Sequence, residues 1–170
     1  MYSNLIEKIV QVYSTVKKYI RLNKYLISYK TKFQKSLLFF NFAMMGYKTI
    51  FHIDDDDDDI IFFVAAIEYL SATTNCFSFT NANKALQKLI TSELIPDAIF
   101  LDINMPVING PEFLAILKTT PGLKEIPVII LSTSADPITM DQLKAAGAAG
   151  FLTKPPSLKE LIDILHPYLI

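Results

Sequence analysis

The sequence predicts a three-layer α/β sandwich built on a parallel sheet, and three observations carry that expectation. From Lys48 onward, short apolar segments alternate with helix-compatible ones. The apolar segments are Thr49–Ile53, Cys76–Phe79, Ala98–Leu101, Val128–Leu131 and Gly150–Leu152, and most are continuous runs rather than in–out alternations. Continuous runs mark strands covered on both faces, and the stretches between them are long enough for the crossover helices that parallel strands require.

The elements can be justified in order. The first strand runs from Lys48-Thr49 through Ile53 straight into six consecutive aspartates, Asp54 to Asp59. Asp57, Asp58 and Asp59 suit the positive end of the helix that follows, and Phe62, Phe63, Tyr69 and Leu70 read as its core residues. After the second strand, Asn81 or Asn83 caps a helix carrying Ala85, Leu86, Leu89 and Ile90. After the third, Gly110-Pro111-Glu112 opens a helix with Phe113, Leu114, Ile116 and Leu117. Asp136-Pro137 sets a cap before a proline at the first helical position. Ser157-Leu158-Lys159-Glu160 has the spacing of a capping box, in which two side chains satisfy free amides reciprocally.

Bulk properties bound the function classes. The 170 residues suit about one domain, and 51% hydrophobic content supplies a core. The formal charge of −1 conceals a split: residues 1–45 carry eight Lys/Arg against one acid, Glu7, whereas residues 46–170 are acidic. A single cysteine, Cys76, excludes an intrachain disulfide and reads as a small buried residue. The apolar run Leu37–Gly46 is roughly half the ~20 residues of a membrane span, and it lies too deep in the chain for a signal sequence. The expected setting is therefore cytoplasmic, with no transmembrane span.

Two segments follow from the charge split: a basic N-terminal extension, 1–45, and an α/β domain, 46–170. The extension has no glycine or proline. Three readings stand for it: a basic amphipathic helix meeting a membrane or partner, an ordered helix packed on the domain, or a mis-assigned start upstream of Met44 or Met45.

In open parallel sheets, ligands bind outside the carboxyl ends of the strands. Asp54, Asp55, Asp102, Ser132 and Lys154 all fall at or just beyond such ends. Three acids and one lysine there suit a divalent cation and a phosphoryl group. His52, within the first strand, reads as a core residue rather than a ligand, and His166 as a surface one.

Residues 48–170 resemble the receiver domain of two-component response regulators, in particular the small stand-alone type. The matching pieces are Asp54-Asp55, Asp102-Ile103-Asn104-Met105-Pro106 with Gly110, Ser132, and Lys154-Pro155, in family order and spacing. The resemblance implies a flavodoxin-like fold with strand order 2-1-3-4-5. It implies Asp102 as phosphoacceptor for a sensor histidine kinase or histidine phosphotransfer protein. It implies Mg2+ held by Asp55 and Asp102 directly, by Asp54 through water and by the Asn104 carbonyl, as a hard cation with oxygen ligands would be. Lys154 and Ser132 would stabilise the phosphoryl group, Ser132 and Phe151 would form a switch pair, and Lys154–Pro155 would be a cis peptide. The resulting phosphoprotein would lose its phosphoryl group by autodephosphorylation. It would signal through the face built from the fourth helix, fifth strand and fifth helix. After Lys154 only one helix fits, which leaves no DNA-binding output domain.

Two rivals come from other classes. A Mg2+-dependent phosphatase or hydrolase would use Asp102 with a second acid two positions on, where this chain has Asn104. A nucleic-acid or membrane binder would work through the basic N-terminus. Pro111 after Gly110 and Pro156 after Pro155 depart from the family pattern without removing a chemical group from the site.

Overall fold

The computed structural model describes residues 46–91, 94–133 and 136–170. The readings offered for residues 1–45 lie outside the described residues. The chain from Tyr47 forms β1 (Thr49–Ile53), α1 (Asp57–Leu70), β2 (Asn75–Phe79), α2 (Ala82–Ile90), β3 (Ala98–Leu101), α3 (Gly110–Thr119), β4 (Val128–Ser132), α4 (Pro137–Ala145), β5 (Gly150–Thr153) and α5 (Leu158–Leu169). All strand pairs are parallel, in the order β2-β1-β3-β4-β5. This is the flavodoxin-like three-layer sandwich that the sequence predicts.

Alternate strand residues face opposite sides, and each side has its own core. Phe51, Ile53, Ile99, Leu101, Val128 and Ile130 pack against α2, α3 and α4 through residues such as Leu89, Phe113 and Leu143. Ile50, Ala98, Phe100, Ile129 and Leu131 pack against α1 and α5 through Phe63, Ile67, Leu161 and Leu165. The central strands β3 and β4 are buried at every position, whereas the edge strands β2 and β5 are not. Two-sided cover explains why the central strands read as unbroken apolar runs. Asp97 anchors the start of β1, its Oδ2 accepting the N–H groups of Lys48 (2.9 Å) and Thr49 (2.8 Å). Cys76, on edge strand β2, is half-buried rather than enclosed.

The caps refine the sequence reading. Asn81, not Asn83, caps α2, and Asp136 caps α4 as expected. The full capping box belongs to α3: Asn109 Oδ1 accepts from Glu112 N (2.9 Å) and Glu112 Oε2 from Asn109 N (3.1 Å). At α5 the box is only half formed, because Glu160 Oε1 accepts from the Ser157 hydroxyl (3.1 Å) instead of from its backbone amide. Phe62 and Tyr69 are exposed, contrary to their assignment to the core, and Phe63 fills the interior. Helix α1 is apolar nearly all round, and 3.6-residue geometry turns Phe63, Ala66 and Ile67 inward while Phe62 and Tyr69 face out.

Among the described residues, no helix is long and apolar enough to cross a membrane.

Candidate functional site

The sheet register assembles the site. Ile53 pairs with Leu101, so Asp54 and Asp102 follow side by side, and Asp102 N donates to Ile53 O at 2.9 Å. On the other flank Ser132 pairs with Thr153, and Lys154 N donates to Ser132 O at 2.9 Å. The residues that the sequence places at four strand ends are thus delivered to one edge of the sheet.

Asp54 is 1% exposed and Asp102 5%, which puts both carboxylates in surroundings where charge needs an explicit partner. Lys154 supplies it. Its Nζ lies 2.7 Å from Asp54 Oδ2 and 3.2 Å from Asp102 Oδ1. The Asp54 contact is an ion pair rather than a well-directed hydrogen bond, since no donor points squarely at Oδ2. Asp102 Oδ2 accepts the Asn104 N–H at 2.7 Å, which fixes the plane of the carboxylate. Asp55 is exposed, yet ligand oxygens of Asp54, Asp55 and Asp102 all lie within 4.8 Å of one another. Three hard oxygen donors at that separation, two of them buried and matched by one ammonium, fit a hard divalent cation such as Mg2+.

Burial alone would lower the Lys154 ammonium, but the Asp54 and Asp59 carboxylates, each 2.7 Å away, overcome it and hold the group above its ordinary range. Burial would likewise raise the Asp54 carboxyl. The neighbouring His52 and Lys154 reverse that and hold it below its ordinary value. His52 is fully buried, stacked on Phe63 with ring centroids 3.9 Å apart, and neither ring nitrogen makes a hydrogen bond. Its Nε2 is 3.5 Å from Asp54 Oδ2. Desolvation keeps the imidazole below its usual value, so it behaves as the core residue that the sequence suggests. His166 is exposed.

Ser132 is buried at 4% exposure, and Phe151 is half-buried against the core on the α2–α3–α4 side. Gly110 starts α3 hard against the phosphoacceptor candidate. A Cβ there would stand 2.5 Å from the Asp102 carbonyl oxygen, so only glycine permits the approach. In the β3–α3 loop Val107 has φ +70° and is 83% exposed, an unfavourable backbone state for a β-branched residue.

One expectation is corrected: no peptide bond among the described residues is cis, and Lys154–Pro155 is trans. The trans form is the favoured isomer by about 0.5–1 kcal/mol, and from it Lys154 already reaches three carboxylates. The third is Asp59, which the sequence places only at the helix end. Its Oδ2 accepts a hydrogen bond from Lys154 Nζ at 2.7 Å. The capping role belongs instead to Asp56, whose Oδ1 accepts from Asp58 N (2.8 Å) and Asp59 N (3.3 Å). The signal for Asp59 was present: Phe63, Ala66 and Ile67 follow it at helical spacings of four, seven and eight, so it heads the inward stripe of α1.

Comparison with known proteins agrees with the geometry. Residues 50–166 match the family model described as the response regulator receiver domain. Response regulator Rcp1 of Synechocystis sp. is 37% identical over 71 residues, which are 42% of this chain and 48% of that protein. Protein RcaC of Microchaete diplosiphon is 40% identical over 74 residues, 44% of this chain and 11% of that protein. The chain therefore spans only part of the curated relatives it matches. Among solved structures, the phosphorylated cyanobacterial phytochrome response regulator RcpA superposes with a TM-score of 0.65 at 29% identity, covering 71% of this chain and 89% of that one. The Mn2+-bound form of Rcp1 gives 0.63 at 27% identity, covering 70% and 89%.

Proposed function

Because the chain belongs to the response regulator receiver domain family, we propose that Asp102 is a phosphoacceptor which takes a phosphoryl group from a phosphohistidine on a sensor kinase or histidine phosphotransfer protein. The observation that carries this reading is the position of the Asp102 carboxylate, 3.2 Å from the Lys154 ammonium and within 4.8 Å of the Asp54 and Asp55 ligand oxygens. A carboxylate oxygen of Asp102 attacks phosphorus, and the P–N bond of the donor phosphoimidazole breaks. The ring nitrogen leaves with the bonding pair, giving an aspartyl phosphate.

Phosphoryl transfer asks the protein chiefly for positioning and charge stabilisation. The Asn104 N–H orients the Asp102 carboxylate, and Lys154 brings a cation to the phosphoryl oxygens. Asp54, Asp55, Asp102 and the Asn104 carbonyl would hold Mg2+, which when bound supplies further positive charge to the phosphoryl oxygens. The Ser132 hydroxyl would donate to a phosphoryl oxygen, and Phe151, one strand residue before Leu152, would repack in response. The face of α4, β5 and α5 would then present a changed surface to a downstream protein. Coupling of this kind amounts to about 1–3 kcal/mol. Hydrolysis of the aspartyl phosphate resets the domain, and no other turnover is required of it. The setting is cytoplasmic, where such phosphodonors reside.

Incubation with acetyl phosphate and Mg2+ followed by intact-mass measurement tests the proposal. The chain should gain one phosphoryl group in a hydroxylamine-labile form, and Asp102→Asn should gain none. An adduct that persists in Asp102→Asn would refute it.

A further inference from the structure

We infer that Asp59 is a positioning residue that restrains phosphoryl acceptance by competing for the Lys154 ammonium that stands beside Asp102. The inference rests on the reading of Asp102 as phosphoacceptor. Lys154 has three N–H donors, and Asp54 and Asp59 each hold Nζ at 2.7 Å while Asp102 stands at 3.2 Å. Asp59 lies 95 residues from Lys154 in sequence, so their pairing is a tertiary contact rather than a by-product of the acidic run. Helix capping does not require the Asp59 carboxylate, because Asp56 performs it. With 38% of its side chain exposed, Asp59 can release the lysine without leaving a buried orphan charge.

Two effects follow for an arriving phosphoryl group. Asp59 competes with it for the ammonium, and its own charge repels a dianion. Both are removed when the carboxylate becomes an amide. The repulsion of a single carboxylate across a few water-filled ångströms corresponds to roughly a five- to tenfold factor in rate.

The test compares rates of adduct formation from acetyl phosphate at saturating Mg2+ for the wild type, Asp59→Asn, Asp59→Ser and Asp59→Glu. Urea midpoints run in parallel identify any variant that fails to fold, and the Ser variant serves if the Asn side chain disturbs the helix start. The expected result is a gain of about five- to tenfold in the neutral variants at low ionic strength. That gain should shrink in 1 M salt, where screening extends over only about 3 Å, and Asp59→Glu should stay within about twofold of wild type. A purely structural residue would show neither the salt dependence nor the rescue by Glu. Neutral variants at or below the wild-type rate, or a Glu variant as fast as the neutral ones, would overturn the inference. An adduct in Asp102→Asn would instead overturn the assignment of the phosphoacceptor.

Discussion

Replacing Lys154 with methionine removes the one cation that, among the described residues, pairs with the carboxylates of Asp54, Asp59 and Asp102. Methionine keeps most of the aliphatic stem, so the loss is chiefly one of charge. Removing one partner of a buried ion pair costs about 3–5 kcal/mol, because the remaining charge is stranded. Here Asp54 and Asp102 are buried but Asp59 is 38% exposed and stays hydrated, so about 2–4 kcal/mol is the fitting range. With a urea m-value of about 2 kcal/mol/M for a domain of this size, the unfolding midpoint should fall by about 1–2 M in metal-free buffer. Mg2+ should narrow this deficit, because without the ammonium beside the metal ligands the variant binds the cation more tightly than wild type does, and each tenfold gain in affinity is worth about 1.4 kcal/mol at saturation. The assay is urea denaturation of wild type and Lys154→Met, each with EDTA and with saturating Mg2+. A variant as stable as wild type in EDTA would refute the electrostatic reasoning. So would a deficit that Mg2+ leaves untouched.

Other outcomes follow from single features of the structure. Val107→Asn should raise stability by about 1 kcal/mol in thermal or urea unfolding, because Asn tolerates the left-handed backbone at φ +70° better than a β-branched residue does. Gly110→Ala should cost about 1–3 kcal/mol through overpacking against the Asp102 carbonyl, and should slow adduct formation by displacing that backbone. The pH dependence has two windows. Burial depresses the His52 imidazole below 6.5. The unfolded chain therefore takes up a proton that the folded chain refuses, and stability present above pH 6.5 is lost as pH falls below it. Asp54, held below 3.8, contributes stability above that value which disappears at still lower pH. His52→Leu should abolish the first loss and leave an acid transition in the second window, as read by urea midpoints from pH 7 to 3.

The layer architecture was legible because burial on both sides writes β3 and β4 as apolar runs and leaves only His52 to break the run Ile50–Ile53 of β1. The strand-end positions of Asp54, Asp102 and Ser132 were legible for the same reason, since each ends such a run, and Lys154 follows the short edge strand Gly150–Thr153. Side-chain direction was harder to read. In α1 the sequence Asp57–Leu70 is apolar on almost every face after its acids, so the pattern could not separate inward Phe63 from outward Phe62 and Tyr69. Asp59 was obscured by its neighbours, since six identical residues give no contrast, and only the helical phase of Phe63 and Ile67 picks it out. The isomer of Lys154–Pro155 carries no signal in composition or periodicity. The exchange of the half-formed box at Ser157 for the full one at Asn109 turns on hydroxyl and carboxylate rotamers that sequence spacing does not fix.

The central claim is that Asp102 forms the acyl phosphate. Borohydride reduction of the phosphorylated chain, followed by peptide sequencing on a mass spectrometer, reads the position directly, because an aspartyl phosphate is reduced to homoserine. The account places homoserine at position 102, dependent on Mg2+ and abolished in Lys154→Met or reduced to a trace. Homoserine at Asp54, Asp55 or any other acid, with position 102 unmodified, would contradict it.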